Sequence, residues 1–209
     1  MIRHKKSERD EVMGETRTRL LEAAAEEFAQ KGYEGANVNH IARAAGYSIG
    51  TVYNYFPSKR ELMAAFIEDF SQVHVNQIKE RVLQEQQPDK RVEIFFASGF
   101  SFVETHLTQS RAIFNTLNGP DDEFKFSLFQ YYLPLFELLR VDIIELGIQQ
   151  GVFRQVEAQT IANLLMMLYL GVASQVNPQG KPWIDALQVS GFVLSALRAQ
   201  REPGKEGNL

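Results

Sequence analysis

Residues 33–60 read YEGANVNHIARAAGYSIGTVYNYFPSKR, and the order of apolar, small and turn-forming residues in this stretch decides the fold. Val38, Ile41, Ala42 and Ala45 repeat with helical period behind Asn37, a residue whose short amide suits a helix start. Gly46 and Tyr47 break the pattern, and glycine takes the positive φ that a tight turn wants. Ser48 then opens another helix, which runs to about Tyr55 and is stopped by Pro57. Two short helices joined by a glycine turn have the geometry of a helix-turn-helix. Ile41 and Val52 are the apolar pair expected to lock the two helices, and Ala42 is small enough for a close crossing.

Working outward, Arg17 to Lys31 places Leu20, Leu21, Ala24 and Phe28 on one helical face, with Gly32 as the C-terminal cap. On the other side, Ser58-Lys59-Arg60-Glu61 forms a capping box. It opens a helix through Leu62, Phe66, Asp69, Phe70 and Val73 that is expected to reach Gln86, before Pro88. Further helices are expected near 89–108, 110–118, 121–150, 157–176 and 182–201, with Pro134 kinking its helix without ending it. The fold class is therefore all-α: an N-terminal three-helix head, a connector and a C-terminal helical bundle. The expected division is a charged tail over 1–15, a helix-turn-helix domain over 16–60, a helical ligand-binding and dimerisation domain over 61–202, and a disordered tail over 203–209. The charged run Arg3 to Arg9 reads as a solvated tail, with a minor-groove arm as the alternative.

Composition narrows the function. The chain has no cysteine, which removes disulfides, thiol catalysis and thiolate metal sites together and suits a reducing compartment. Its start is charged throughout, and its longest apolar run, Leu164 to Ala173, is about half of the ~20 residues that a membrane-spanning helix needs. A soluble, cytoplasmic protein without membrane partners is expected. The net charge is −4, yet residues 1–60 hold 10 Lys+Arg against 8 Asp+Glu, leaving 12 against 18 for the rest. A mildly basic head on an acidic body suggests that only the head meets phosphate.

The head carries side chains suited to that task. Gly50 and Thr51 leave room for, and can bond, a backbone phosphate; Tyr53 and Tyr55 supply long hydroxyl donors. Asn54 has an amide able to read adenine, and Lys59 is a cation for a phosphate at the next helix start. Enzymatic readings find little. His4, His40, His74 and His106 are scattered without metal-ligand spacing, and there is no phosphate-binding glycine loop or nucleophile elbow. No catalytic residue, metal site or cofactor is therefore assigned.

The run IARAAGYSIGTVYNYFPSKRELM resembles the signature of the TetR-like (TetR/AcrR) family of transcriptional regulators. It holds that signature's elements at Ile41-Ala42, Ala45-Gly46, Ser48, Gly50-Thr51, Val52, Tyr53, Phe56 and Lys59, and the likeness covers about residues 16–67. GIQQGVFR, Gly147 to Arg154, is similar to the turn before the family's last two helices. The resemblance implies a dimeric, ligand-responsive repressor on a palindromic operator in double-stranded DNA. It implies phosphate contact by Thr51, Tyr53, Tyr55 and Lys59 and base contact by Asn54 and its neighbours. With Asn37, Ser48, Ile49 and Gly50, these form the expected DNA-binding set. Three positions depart from the family pattern: Ile49 stands where Lys or Arg is frequent, Ala36 where Thr is, and His40 where an acid is. The cap of the second helix then rests on Asn37 alone, and the operator sequence is beyond prediction.

In the C-terminal half, aromatic residues at helical spacing are usually core, yet their density also suits a cavity for a small apolar or amphipathic effector. The expected lining is Phe96, Phe100, Val103, Phe114, Phe129, Tyr132 and Phe136. The last two helices mix large and small residues, and a closed monomer core is one reading of them. The other, which the resemblance implies, is a homodimer through a four-helix bundle of Leu164, Leu168, Val172, Leu187, Gly191 and Leu194. Two further classes stand beside the regulator. One is a helical small-molecule-binding protein or enzyme, which would need a pocket base of strongly shifted pKa. The other is a sequence-indifferent DNA-binding structural protein, separable by the ratio of specific to non-specific affinity at fixed salt.

Overall fold

The computed structural model describes residues 2–199, and the tail expected at 203–209 lies outside them. The helices are α1 (Ile2–Gly35), α2 (Val38–Ala45), α3 (Ile49–Tyr55), α4 (Lys59–Leu83), α5 (Pro88–Thr105), α6 (Leu107–Leu117) and α7 (Asp122–Glu137). A π-helical segment (Leu138–Glu145) continues α7 into α8 (Leu146–Gln149), and α9 (Ala158–Ser174) and α10 (Ala186–Leu197) complete the described residues. Among the described residues none belongs to a strand, and no helix is long and apolar enough to cross a membrane.

Several boundaries differ from expectation for local reasons. α1 begins at Ile2, so the stretch read as a solvated tail is helical. Lys5, Lys6, Glu8, Arg9 and Glu11 are good helix formers, and elongating a helix already nucleated by packed residues costs little. Its regular turn breaks at Gly32, whose φ of 67° is where the cap was expected. The helix expected from 182 starts at Ala186, behind a capping box in which Asp185 and Gln188 satisfy each other's backbone N–H. Residues 177–183 form a loop instead, tied by Asn177 N–H to the Lys181 carbonyl and by Trp183 N–H to the Gln175 carbonyl. α7 passes through Pro134, as expected, and then widens into π geometry.

The chain packs as two compact units, Met1–Val73 with His106–Tyr131, and His74–Thr105 with Tyr132–Leu209. In the first, Leu20, Ala24 and Phe28 of α1 are buried with Ile41 and Ala42 of α2, Val52 of α3, and Leu62 and Met63 of α4. α6 lies along α1 in the same unit, and Asn115 Nδ2 donates to the Ala29 carbonyl at 3.0 Å.

In the second unit α5 is the central helix, met by α9, α10 and the π segment. Val92, Phe95 and Phe96 are fully buried on it. The π segment receives a donor from α5, since Arg91 Nη1 bonds the Asp142 carbonyl at 2.6 Å. Buried His74 lies between two tyrosines, its Nδ1 2.8 Å from the Tyr132 hydroxyl and its Nε2 2.9 Å from that of Tyr169, and its ring stacks on Phe102. Burial pushes the Tyr169 phenol well above its ordinary value. Gly147 meets the Phe153 ring so closely that a Cβ there would lie 2.1 Å from Phe153 Cδ2, which accounts for this glycine in the GIQQGVFR turn.

Candidate nucleic-acid interface

The geometry of α2 and α3 follows from short-range bonds that the sequence supplies. Asn37 Oδ1 accepts from the Asn39 N–H at 2.9 Å and starts α2. α2 ends at Gly46, whose φ of 79° only glycine adopts without strain, and whose N–H bonds the Arg43 carbonyl. Ser48 Oγ accepts from the Thr51 N–H at 3.1 Å and lies 2.9 Å from Thr51 Oγ1, so both hydroxyls are engaged at the start of α3. Val52 points inward, only 1% exposed, and Phe56 closes the same side.

With that face fixed, the opposite face of α3 is presented to solvent. Ile49 is 37% exposed, Tyr53 44%, and Gly50 and Asn54 are exposed beside them, at i and i+4 spacing. A Cβ built on Gly50 meets nothing nearer than Ser48 Oγ at 3.7 Å, so the fold itself does not demand glycine there. Tyr55 is half-buried with its ring 6.3 Å from that of Phe56, away from the exposed row.

Lys59, expected on phosphate, has partners within the head. Its Nζ lies 2.8, 3.2 and 3.3 Å from the carbonyl oxygens of Tyr33, Glu34 and Ala36 and 4.7 Å over the Tyr33 ring, so its three protons are directed at the end of α1. The sequence reading passed over Arg43, an exposed cation on α2 that occupies one of the non-apolar positions of that helix. That placement was the available signal.

Of the expected effector residues, Phe114 and Phe129 fall in the first unit and the other five in the second. There Phe96, Phe100 and Val103 are core residues, and Phe100 stacks on Tyr169, the partner of the His74–Tyr132 network. Phe129 is half exposed. The second unit also holds an open cleft of about 660 Å³ between α5 and the start of α10, lined by Ile94, Ala97, Phe100, Pro182, Ala186 and Leu187 with charged residues at its edge. Of the residues expected at a dimer interface, Leu164, Leu187 and Gly191 are exposed and Leu168 and Val172 half-buried. Leu194 is a correction: at 3% exposure it belongs to the core, because that face of α10 is turned onto α5.

A capped, glycine-turned helix pair that presents Ile49, Gly50, Tyr53 and Asn54 on its outer face defines a DNA-binding protein of the helix-turn-helix class. The sequence profile described as "Bacterial regulatory proteins, tetR family" matches residues 20–66, which span α2, α3 and their supports. Residues 20–66 thus carry the DNA-binding domain of the tetR family of bacterial regulatory proteins. It is 28% identical over 148 residues to the transcriptional repressor KstR2 of Mycobacterium tuberculosis, covering 69% of this chain and 74% of the relative. The crystal structure of FadR from Bacillus subtilis with stearoyl-CoA is similar in fold, with TM-score 0.74 and 19% identity over 85% of this chain and 95% of that one. So is that of AibR with isovaleryl coenzyme A and operator DNA, with TM-score 0.72 and 19% identity over 88% and 98%.

Proposed function

We propose that this chain is a repressor that binds a palindromic operator as a homodimer and releases it when a small amphipathic molecule occupies its C-terminal half. The observation that carries the reading is the split of α3, with Val52 locked inward while Ile49, Gly50, Tyr53 and Asn54 stand outward. Such a helix, set in a major groove, offers Asn54 to base edges, the Tyr53 hydroxyl and the Thr51 side chain to phosphate, and Ile49 to a thymine methyl. A two-fold operator calls for a two-fold protein with heads about 34–36 Å apart. The exposed apolar side chains Leu164, Met167, Leu187 and Phe192 of the second unit suit the second copy. Effector binding and assembly then belong to the residues after the head, through 202, and the protein works in the cytoplasm, where the DNA is. Acyl-CoA thioesters are the effector class to try first, since FadR and AibR were crystallised with them. Regulation, not catalysis, is the role that the relatives support.

The test has two stages. Duplexes are selected from random DNA with the purified protein, and the complex is sized by sedimentation. Stearoyl-CoA and isovaleryl-CoA are then titrated with and without saturating operator. A dimer on a palindrome is expected, with each releasing probe binding more weakly, by the same ~5–150-fold factor, when operator is present. Failure to select any sequence sinks the DNA reading, and equal probe affinity in the two titrations sinks the release mechanism.

A further inference from the structure

Residues 37–58, which hold the helix-turn-helix, leave and rejoin the body of the first unit at one place. On the leaving side, Tyr33, Glu34 and Ala36 give their carbonyl oxygens to Lys59. On the rejoining side, the next residue, Arg60, sets its guanidinium 4.5 Å over the Phe124 ring. The same guanidinium bonds Asp121 Oδ2 at 2.9 Å and Glu123 Oε2 at 2.5 Å. Tyr33 and Phe124 meet edge to face, with ring centroids 4.9 Å apart. Two adjacent cations thus bracket an aromatic pair, and the end of α1, the start of α4 and the start of α7 close into one knot. Asp121 also caps α7, accepting from the N–H groups of Glu123 and Phe124, each at 3.1 Å. One carboxylate therefore fixes the first turn of α7 and, through Arg60, the first turn of α4, which follows α3 after only Phe56-Pro57-Ser58.

Stability is a poor reason for such a pair. Arg60 and Asp121 are 39% and 24% exposed, and partly solvated ion pairs contribute little to folding. Orientation is a better one. A planar guanidinium on a carboxylate and over a ring fixes direction as well as distance, and hydrogen bonds to base edges weaken steeply when the donor is misaimed. We propose that Arg60 and Asp121 are positioning residues for DNA reading: the first turn of α7, remote in sequence, holds the recognition helix at its reading angle from outside the DNA surface. α7 begins at Asp122, so this pair ties its start to the start of α4. The proposal rests on the operator reading above and adds the element that sets its affinity.

The operator is the duplex selected by the wild-type chain, with a random-sequence duplex for comparison. Asp121→Asn and Arg60→Met should each lower operator affinity about tenfold while changing random-duplex affinity less than about twofold. The slope of log affinity against log salt should stay unchanged, because no phosphate contact is lost. Arg60→Lys, which keeps the charge and loses the fork, should recover part of the loss. Unchanged operator affinity in both Asp121→Asn and Arg60→Met overturns the proposal. Equal losses on both duplexes with a slope shallower by about one also overturn it, since Arg60 is then a phosphate contact. Thermal melting of each variant is the second readout, with Phe124→Leu added to the series. Affinity losses that simply track melting temperature would make the pair structural only. A wild-type chain that selects no sequence fails the DNA reading itself and takes this inference with it.

Discussion

The ammonium of Lys59 lies 2.8 Å from the carbonyl oxygen of Tyr33, so the first residue of α4 closes the end of α1. A cation at the C-terminal end of a helix meets unpaired carbonyls and the negative end of the helix dipole. Lys59→Ala should therefore destabilise the head by about 1–3 kcal/mol, as hydrogen bonds from a charged donor do, and lower its melting temperature. The salt slope of DNA binding should fall by less than one unit. A variant as stable as wild type with a slope reduced by a full unit would return Lys59 to the phosphate.

Gly50 separates the demands of DNA from those of the fold. With only an ordinary contact to Ser48 Oγ awaiting a built Cβ, Gly50→Ala should be neutral to stabilising by up to ~1 kcal/mol, since alanine is the better helix former. Its operator affinity should fall, because the added methyl stands where the backbone would approach phosphate. Tyr53→Ala should weaken binding to every duplex, whereas Asn54→Ala should chiefly relax base preference. Melting curves paired with binding to the selected and random duplexes decide this, and three variants binding like wild type would show that α3 does not face DNA.

α10 offers a paired test of assembly. Leu187 is 76% exposed and Leu194 3%, on one helix of twelve residues. Leu187→Glu should turn a dimer into a folded monomer by sedimentation, with its melting curve still cooperative. Leu194→Ala should cost about 2–5 kcal/mol of stability, as a core truncation does. Were Leu187→Glu to stay dimeric, the second copy would have to be sought on another face.

Their contrast also shows what the sequence makes legible. The head could be read because its signals are local: Asn37, Gly46 and Ser48 each act within a few residues, and Ile41 and Val52 stand out against polar neighbours. α10 has no such contrast. Leu187, Val189, Phe192, Val193, Leu194 and Leu197 surround the helix, so its inner face is chosen by α5, not by its own pattern. The same holds for Phe96 and Phe129, whose aromatic spacing is alike while one is buried and the other half exposed. The bonds of Lys59 within the head could not be read for a further reason: its partners are carbonyls 23–26 residues away, and backbone oxygens leave no mark in a sequence.

Acid should loosen the head through Asp121. The hydrogen bond from Arg60, followed by that from the Phe124 N–H, holds this carboxyl below its ordinary range. The folded group thus gives up its proton at lower pH than the unfolded one, and the unfolded chain binds more protons as pH falls through the carboxylate range. The stability that Asp121 contributes is fully present above its unfolded value and is lost as pH drops through the depressed folded value. Glu85 and Glu157, lowered by bonds to Gln87 and Thr160, act in the same sense. Melting temperature should therefore fall between about pH 5 and pH 3, modestly at each site because solvent screens exposed groups. Asp121→Asn removes the titrating group at the knot, so its curve should start lower at neutral pH and fall less steeply in acid. Parallel curves for the variant and wild type would show that the Arg60–Asp121 bond adds nothing to the pH dependence of the head.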